Sequence, residues 1–151
     1  MNFEKIVWSV KEFEELTILE LYDIMNLRQE VFVVEQDCPY IDADYKDLKS
    51  IQVNGYYKNK LVAHARIVAP GVSYKEASIG RVATSLMFRK VGLGKLLMTK
   101  SVLALENKYK RTSCRISAQT YLLKFYSEFG FEVCSEEYLE DNLPHFEMFR
   151  T

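Results

Sequence analysis

The sequence has few of the residues from which metal centres and disulfide frameworks are built. It has three cysteines, Cys38, Cys114 and Cys134, which are far apart and form no CxxC pair, and only two histidines, neither flanked by cysteine. Zinc sites need such ligands at close spacing, so the sequence predicts no metal site. An odd number of cysteines is typical of a reducing compartment, and we expect a cytoplasmic protein with buried thiols.

An excess of charge of one sign and long apolar runs are also missing. The formal net charge of the 151 residues is -1, which favours neither nucleic acid nor an anionic membrane as a partner. The first ten residues, MNFEKIVWSV, carry charges at Glu4 and Lys5 and have no long apolar core, so they do not resemble a signal peptide. No stretch approaches the roughly 20 apolar residues of a membrane span. We therefore expect neither nucleic acid nor a membrane among the partners.

The composition that remains is that of a globular domain. Hydrophobic residues make up 48% of the sequence and charged residues 27%, which at this length allows a sizeable core. Alternating and helical spacings of apolar residues predict elements in the order β-α-β-β-β-α-β-α-β-β. The first helix begins at a capping box formed by Thr17 and Glu20,. We expect one α/β domain over residues 1–151, without repeats or a linker.

Glycine is scarce, with six in the chain, yet Gly92 and Gly94 both lie in the segment RKVGLG where a long helix is predicted to begin. The free N–H groups of a helix start attract anions, and glycine lets a phosphate approach the backbone. Arg89 and Lys90 add positive charge. The segment lacks the Walker A spacing and, at Leu97, the third glycine of a dinucleotide fingerprint. It indicates either another kind of phosphate site or a tight turn into a helix.

Two further segments bear on this choice. The turn follows IGRVATS and precedes FYSEFGFE, and together with the element order these segments resemble the GNAT superfamily of acetyl-CoA-dependent N-acetyltransferases along nearly the whole chain. LRQEVFVVEQDCPY and AQTYLLKFYSEFGFE are similar to its ElaA-like branch. The resemblance implies a single-domain GNAT fold of the α+β type, in which helices flank a mixed, mostly antiparallel sheet. That sheet would be splayed between the strands at about residues 77–84 and 112–118.

The resemblance also implies where acetyl-CoA, the co-substrate, binds. In the family, the backbone amides of an R/Q-x-x-G-x-G/A turn wrap the CoA pyrophosphate, and the end of the preceding strand pairs with the pantetheine arm. A family asparagine that contacts this arm is replaced here by Gln119, an amide with a longer side chain. The implied turn residues are Arg89, Lys90, Val91, Gly92, Leu93 and Gly94, and the implied strand residues are Val82, Ala83 and Thr84.

Acetyl transfer needs a neutral amine, a stabilised oxyanion and a proton for the leaving thiolate. Tyr126 matches the tyrosine of the family's Y-x-x-x-G-F segment, which implies a general acid, whereas the residues alone indicate a core aromatic. The Val82 amide would polarise the thioester carbonyl. Two candidates for the base remain: Glu35, directly or through water, is the first choice, and His145 is the second, since histidine titrates near neutral pH. Each also has a structural interpretation, as a solvated helix-end glutamate and as a histidine that begins a strand.

The loop after the first helix carries four carboxylates, Asp37, Asp42, Asp44 and Asp47. Such a cluster is by default a solvated loop, and in an acetyltransferase it would suit a cationic substrate. The predicted function is acetyl transfer by direct attack of a primary amine of a small molecule or peptide. A non-catalytic acyl-CoA-binding or sensor module is the alternative, and a nucleotide-binding enzyme is disfavoured by the missing Walker lysine. Because many relatives dimerise, the resemblance favours a homodimer.

Overall fold

The structure is a computed structural model that describes residues 2–151, and it contains two four-stranded sheets and three α-helices. The strands are β1 (Ile6–Glu12), β2 (Ser50–Tyr57), β3 (Lys60–Val68), β4 (Ser78–Thr84), β5 (Cys114–Gln119), β6 (Glu132–Val133), β7 (Tyr138–Glu140) and β8 (Leu143–Arg150). The helices are α1 (Ile18–Arg28), α2 (Leu93–Tyr109) and α3 (Leu123–Ser127). Within residues 2–151, no helix combines the length and apolar character that crossing a membrane requires.

Both sheets are antiparallel. The first has the order β1-β2-β3-β4, and the second has the order β5-β8-β6 with β7 paired to β8. β7 corrects the predicted element order, which had only an acidic connection in this place. Asp141 and Asn142, with φ of 49° and 67°, form a two-residue turn between β7 and β8, which is the backbone conformation that tight hairpins require.

The two sheets meet at one point, between β4 and β5. Ala77 and Cys114 form a single parallel bridge, where the Arg115 N–H donates to the Ala77 carbonyl oxygen at 3.0 Å. Among the described residues, β4 and β5 form no further ladder beyond this bridge. The predicted splay, and the predicted mostly antiparallel pairing, are therefore confirmed.

A helix covers each face of the first sheet. Ala63, Ala65 and Ile67 of β3 are buried in a core with Leu97 and Met98 of α2. On the other face, α1 contributes a second buried cluster with β3 and β4, made of Ile24, Leu27, Val31, Leu61 and Ala83. The period-2 alternation holds for Ala63, Ala65 and Ile67. It breaks at the start of β3, where Leu61 belongs to the α1 cluster and Val62 to the α2 core, next to the register shift between β2 and β3.

The first helix changes type along its length. The capping box is present, since Thr17 Oγ1 accepts from the Glu20 N–H at 3.1 Å and Glu20 Oε1 accepts from the Thr17 N–H at 3.0 Å. After α1 ends, the chain continues as a π-helix over Gln29–Glu35, where a uniform α-helix was expected. π-helical turns are rare and occur often at functional sites. This one brings its last residue to the cavity described below.

Two of the three thiols are buried, as predicted. Cys38 and Cys114 are buried, whereas Cys134 is exposed, contrary to expectation. Cys134 directly follows β6, which is an edge strand of the second sheet. An edge position leaves the side chain beside solvent instead of under a second layer.

Candidate active site

A cavity of about 400 Å³ lies where β4 and β5 diverge. Strands that separate leave backbone groups and side chains of both facing edges without a neighbouring strand, so a cleft between two sheets results. Of the predicted site residues, eight line this cavity: Glu35, Val82, Thr84, Arg89, Gly94, Gln119, Tyr126 and His145. The other five do not line it: Ala83, Lys90, Val91, Gly92 and Leu93.

β4 carries a bulge on the wall of the cavity. The register with β3 shifts, so that His64 lies opposite Ala83 while Arg66 lies opposite Gly80. Arg81 and Val82 therefore have no partner position on β3, and Arg81 has a φ of 49°. The effect of this bulge is to turn the backbone at residues 81–82 out of the regular ladder,.

The backbone conformation favours glycine at only one of the two glycines at the start of α2. Gly92 precedes the helix with a φ of 88°, a left-handed conformation that favours glycine. A Cβ on Gly94 would meet no atom closer than Phe125 at 3.8 Å, so the fold itself does not demand glycine there. Among the described residues, no side chain caps the start of α2 and no acidic residue lies in its first turn. This leaves N–H donors and open space for an anion.

Tyr126 is both a core aromatic residue and a cavity residue, the two positions that the sequence left open. It packs edge-on against Phe125 and Phe131, with ring centroids 5.1 and 6.1 Å away, and it also lines the cavity. Burial raises the pKa of Tyr126 above the usual 10.0. The phenol therefore stays protonated at neutral pH, where it can donate a proton or hydrogen bond but cannot act as a base.

Glu35 and Arg89 form an ion pair across the cavity. Arg89 Nη1 lies 2.6 Å from Glu35 Oε1 and 2.7 Å from Oε2, and Arg89 Nη2 donates to the Thr84 carbonyl oxygen at 3.2 Å. The side chains are 29% and 33% exposed, respectively. Glu35 is thus neither the freely solvated helix-end residue nor an unengaged base, because both of its oxygens accept from Arg89.

His145 is held in one orientation on β8. Its Nδ1 lies 2.7 Å from the Leu143 carbonyl oxygen, which can only accept, so Nδ1 donates this hydrogen bond. Nε2 lies 3.5 Å from Glu140 Oε2, and the Tyr138 ring stacks on the imidazole at a centroid distance of 6.1 Å. The side chain is buried, yet it lines the cavity, as Glu35 and Tyr126 also do.

Gln119 closes the far wall of the cavity. It is the last residue of β5, and its Nε2 donates to Gln36 Oε1 at 3.4 Å. This contact joins the second sheet to the segment that follows the π-helix. A side-chain amide is therefore present at the predicted position.

Three of the four carboxylates of the acidic loop, Asp42, Asp44 and Asp47, are paired with arginines, which corrects the solvated-loop interpretation for them, whereas Asp37 is exposed as that interpretation expects. Arg28 donates to Asp42 at 2.8 Å and to Asp47 at 2.7 Å, and Arg66 donates to both oxygens of Asp44 at 2.7 Å. Burial alone would raise the pKa of Asp44, but its hydrogen bonds to Arg66 and the positive charge of that side chain lower the pKa well below the usual 3.8. Although carboxylates are concentrated here, the described residues contain no group of three or more that could hold a metal ion.

Arg81 links this cluster to the cavity wall. Its Nε donates to Asp42 Oδ1 at 2.7 Å, and its guanidinium lies over the Tyr40 ring at 5.6 Å from the centroid. Arg81 and Tyr40 both line the cavity. The carboxylates of the loop therefore hold the cavity wall in place instead of facing a substrate.

The polar cavity residues that were missed from the sequence include Arg81, Ser117, Glu140 and Asp141. Ser117 shares a face of β5 with Gln119, so the period-2 spacing could have found it. Glu140 and Asp141 belong to the β7–β8 hairpin, whose Asp-Asn turn was the available signal.

The chain is similar to known acyltransferases along most of its length. The family model described as Acetyltransferase (GNAT) domain matches residues 41–151. Protein ElaA of Escherichia coli (strain K12) is 37% identical over 147 residues, which are 96% of this chain and 96% of that protein. The crystal structure of an acyl-CoA N-acyltransferase from Pseudomonas aeruginosa has a TM-score of 0.92 and 38% identity, over 97% of this chain and 99% of that chain. The crystal structure of Escherichia coli ElaA has a TM-score of 0.91 and 36% identity over the same shares.

Proposed function

We propose that this chain, which belongs to the GNAT acetyltransferase family and to its ElaA-like branch, moves an acetyl group from acetyl-CoA to a primary amine. It is an acyltransferase with the GNAT fold, as the sequence predicted. The observation that carries the finer proposal is the uncapped, glycine-bearing turn that opens onto the cavity between the splayed strands. The acceptor is a small molecule or a peptide that presents its amine at the opposite end of this cavity.

The residues present fit coenzyme A. The backbone amides of residues 89–94 would hold the pyrophosphate, since the start of α2 is uncapped and a Cβ at Gly94 would meet only ordinary contacts,. The end of β4, at Val82, Ala83 and Thr84, would lie along the pantetheine arm in the place of a neighbouring strand. Gln119 would face that arm from the other wall.

In the reaction, the amine nitrogen forms a bond to the thioester carbonyl carbon, and the carbon–sulfur bond breaks. The Val82 N–H, at the bulge of β4, stabilises the oxyanion. Tyr126, whose phenol is protonated at neutral pH, donates a hydrogen bond or a proton to the departing sulfur,. The proton lost by the amine goes to a base in the cavity.

Glu35 and His145 are the two bases that the cavity offers. Glu35 is engaged by Arg89, so it can take a proton only after that ion pair opens. His145 has a fixed ring that no arginine within residues 2–151 engages, and its Nε2 lies 3.5 Å from Glu140 Oε2. We keep Glu35 as the base that acts on the ammonium form of the acceptor, and His145 as the alternative.

Three coarser expectations belong to the same proposal. We take residues 1–151 as one domain, because α2 and both sheets share one buried cluster. The free thiols support a reducing compartment, the cytoplasm,. The homodimer implied by the resemblance stays a prediction.

A thermal-shift experiment tests the proposal with CoA, acetyl-CoA and ATP at equal concentrations. A ligand that binds only the folded state raises its stability, and we expect both coenzyme forms to raise Tm clearly more than ATP does. Thiol release with acetyl-CoA and a panel of small-molecule and peptide amines then identifies the acceptor class. No stabilisation by CoA would refute coenzyme binding, and stabilisation without thiol release across the panel would favour a binding module.

A further inference from the structure

The ion pair between Glu35 and Arg89 joins the two ends of the proposed site. Glu35 is the last residue of the π-helix, on the acceptor side, and Arg89 begins the coenzyme turn. Their contact spans 54 positions of sequence, and both side chains line the same cavity. One guanidinium nitrogen therefore connects the proposed base to the proposed pyrophosphate site.

Arg89 is also tethered in a position from which it can serve a second anion. Its Nη2 donates to the Thr84 carbonyl oxygen at the end of β4, which keeps the guanidinium beside the turn. Carboxylate and phosphate oxygens compete for the same donors of an arginine, and a doubly charged pyrophosphate attracts them more strongly than one carboxylate does. The pair is about one-third exposed on each side, so opening it does not require unpacking of the core.

We propose that Arg89 exchanges Glu35 for the pyrophosphate when coenzyme A binds, and that this exchange frees the Glu35 carboxylate to receive the ammonium group of the acceptor. The inference rests on the proposed function, and it adds that the coenzyme binds before the acceptor amine. Before the coenzyme binds, Glu35 is neutralised by Arg89, and the acceptor end of the cavity lacks a free carboxylate at this position. Afterwards, the carboxylate can bind a cationic amine and take its proton.

The exchange predicts that one substitution raises the affinity for CoA and lowers turnover. Replacing Glu35 by glutamine removes the competitor for Arg89, so CoA binds more tightly, while the base is lost and turnover falls. A purely structural role of Glu35 would weaken both. Partly exposed ion pairs contribute up to about 1 kcal/mol, which corresponds to a gain in CoA affinity of about two- to fivefold.

Isothermal titration calorimetry with CoA on the full chain measures the affinity. The variants are Glu35→Gln, Arg89→Gln and the double variant, and the control is Glu30→Gln. Glu30 is an exposed residue of the same π-helix that does not line the cavity, so its substitution makes the same charge change without touching the pair. We expect tighter CoA binding in Glu35→Gln but not in Glu30→Gln, and no gain when Glu35→Gln is added to Arg89→Gln.

Pantetheine, which lacks the pyrophosphate, is the second probe. We expect its affinity to be the same in wild type and Glu35→Gln, because it gives Arg89 no phosphate to bind. Thiol release with acetyl-CoA and the accepted amine measures turnover, with an expected fall in kcat of about tenfold or more in Glu35→Gln. A ligand-free melt verifies that each variant is folded, and Glu35→Ala is expected to shift the CoA affinity in the same direction.

The outcomes separate the two proposals. CoA affinity that is unchanged or weaker in Glu35→Gln overturns the exchange and leaves the proposed function standing. An equal gain in Glu30→Gln, or a gain that persists with Arg89→Gln, also overturns it, since general electrostatics would then be the cause. If wild type binds no CoA at all, the proposed function itself fails.

Discussion

His64, which lies on β3 opposite Ala83 of β4, is expected to make the free energy of unfolding depend on pH. The residue is fully buried, and its Nδ1 lies 2.7 Å from Asn54 Oδ1. An amide oxygen only accepts, so Nδ1 carries the proton, and Nε2 has no hydrogen-bond partner within residues 2–151. Burial and the charges of Arg28, Arg66 and Arg81 lower the pKa of His64 well below the usual 6.5.

The direction of the effect follows from proton linkage. In the unfolded chain, His64 binds a proton as the pH falls below about 6.5, whereas in the folded protein it stays neutral, so acidification favours unfolding. Above pH 6.5 the two states do not differ at this residue. Below it, the free energy of unfolding falls by up to ~1.4 kcal/mol per pH unit, or about 2.7 kcal/mol in total at about pH 4.5.

Urea unfolding at constant ionic strength between about pH 7.5 and about pH 4.5 measures this slope. The matched variant is His64→Asn, which can still donate to Asn54 but does not titrate. We expect the wild type to lose stability more steeply than the variant over this window, whatever their difference at neutral pH. Equal slopes would refute the assignment of a neutral, buried imidazole, since His145 is present in both proteins and contributes equally.

Four further substitutions test the site and its support. Tyr126→Phe is expected to lower kcat by about a hundredfold with CoA affinity within about twofold, as measured by thiol release and calorimetry; unchanged kcat would contradict the acid role. Gly92→Ala should cost about 1–2 kcal/mol in urea unfolding because of its left-handed φ, whereas Gly94→Ala should leave stability unchanged or raise it by up to about 1 kcal/mol and weaken CoA binding about tenfold. The opposite pattern would contradict the assigned roles. Asp47→Asn, which removes a carboxylate shared by two buried arginines, should cost about 3 kcal/mol or more in urea unfolding, and a loss below 1 kcal/mol would show that the cluster is not stabilising.

The features predicted correctly from sequence are those decided by neighbouring residues. Thr17 and Glu20 satisfy each other's N–H groups within one turn, so their spacing suffices to predict the helix start. Gly92, at the predicted start of the long helix, takes a left-handed φ of 88° directly before α2,. The splay needed the family resemblance, because nothing local marks where two sheets separate.

The features that were missed depend on partners distant in sequence. Asp42, Asp44 and Asp47 lie in a polar loop and look solvated. Only the fold brings arginines from three different elements to meet them, the buried Arg28 and Arg66 and the partly exposed Arg81. A signal was available: Arg28 and Arg66 stand on buried faces of their helix and strand, where an arginine needs a carboxylate partner. The change from α-helix to π-helix after Arg28 has no comparable signal in the sequence.

The buried ionic cluster stabilises the strained backbone at the bulge of β4. A left-handed conformation costs a residue with a side chain roughly 1–2 kcal/mol relative to glycine, and Arg81 adopts it with a φ of 49° although Gly80 is its neighbour. Its guanidinium is tied to Asp42 by both a side-chain contact of 2.7 Å and a carbonyl contact of 3.2 Å. Charge-assisted hydrogen bonds of this kind contribute about 1.5–3 kcal/mol, which is enough to offset the strain. The acidic loop thus stabilises the bulge that leaves Val82 unpaired beside the cavity. In this way it supports the proposed chemistry, although it places no carboxylate against the substrate.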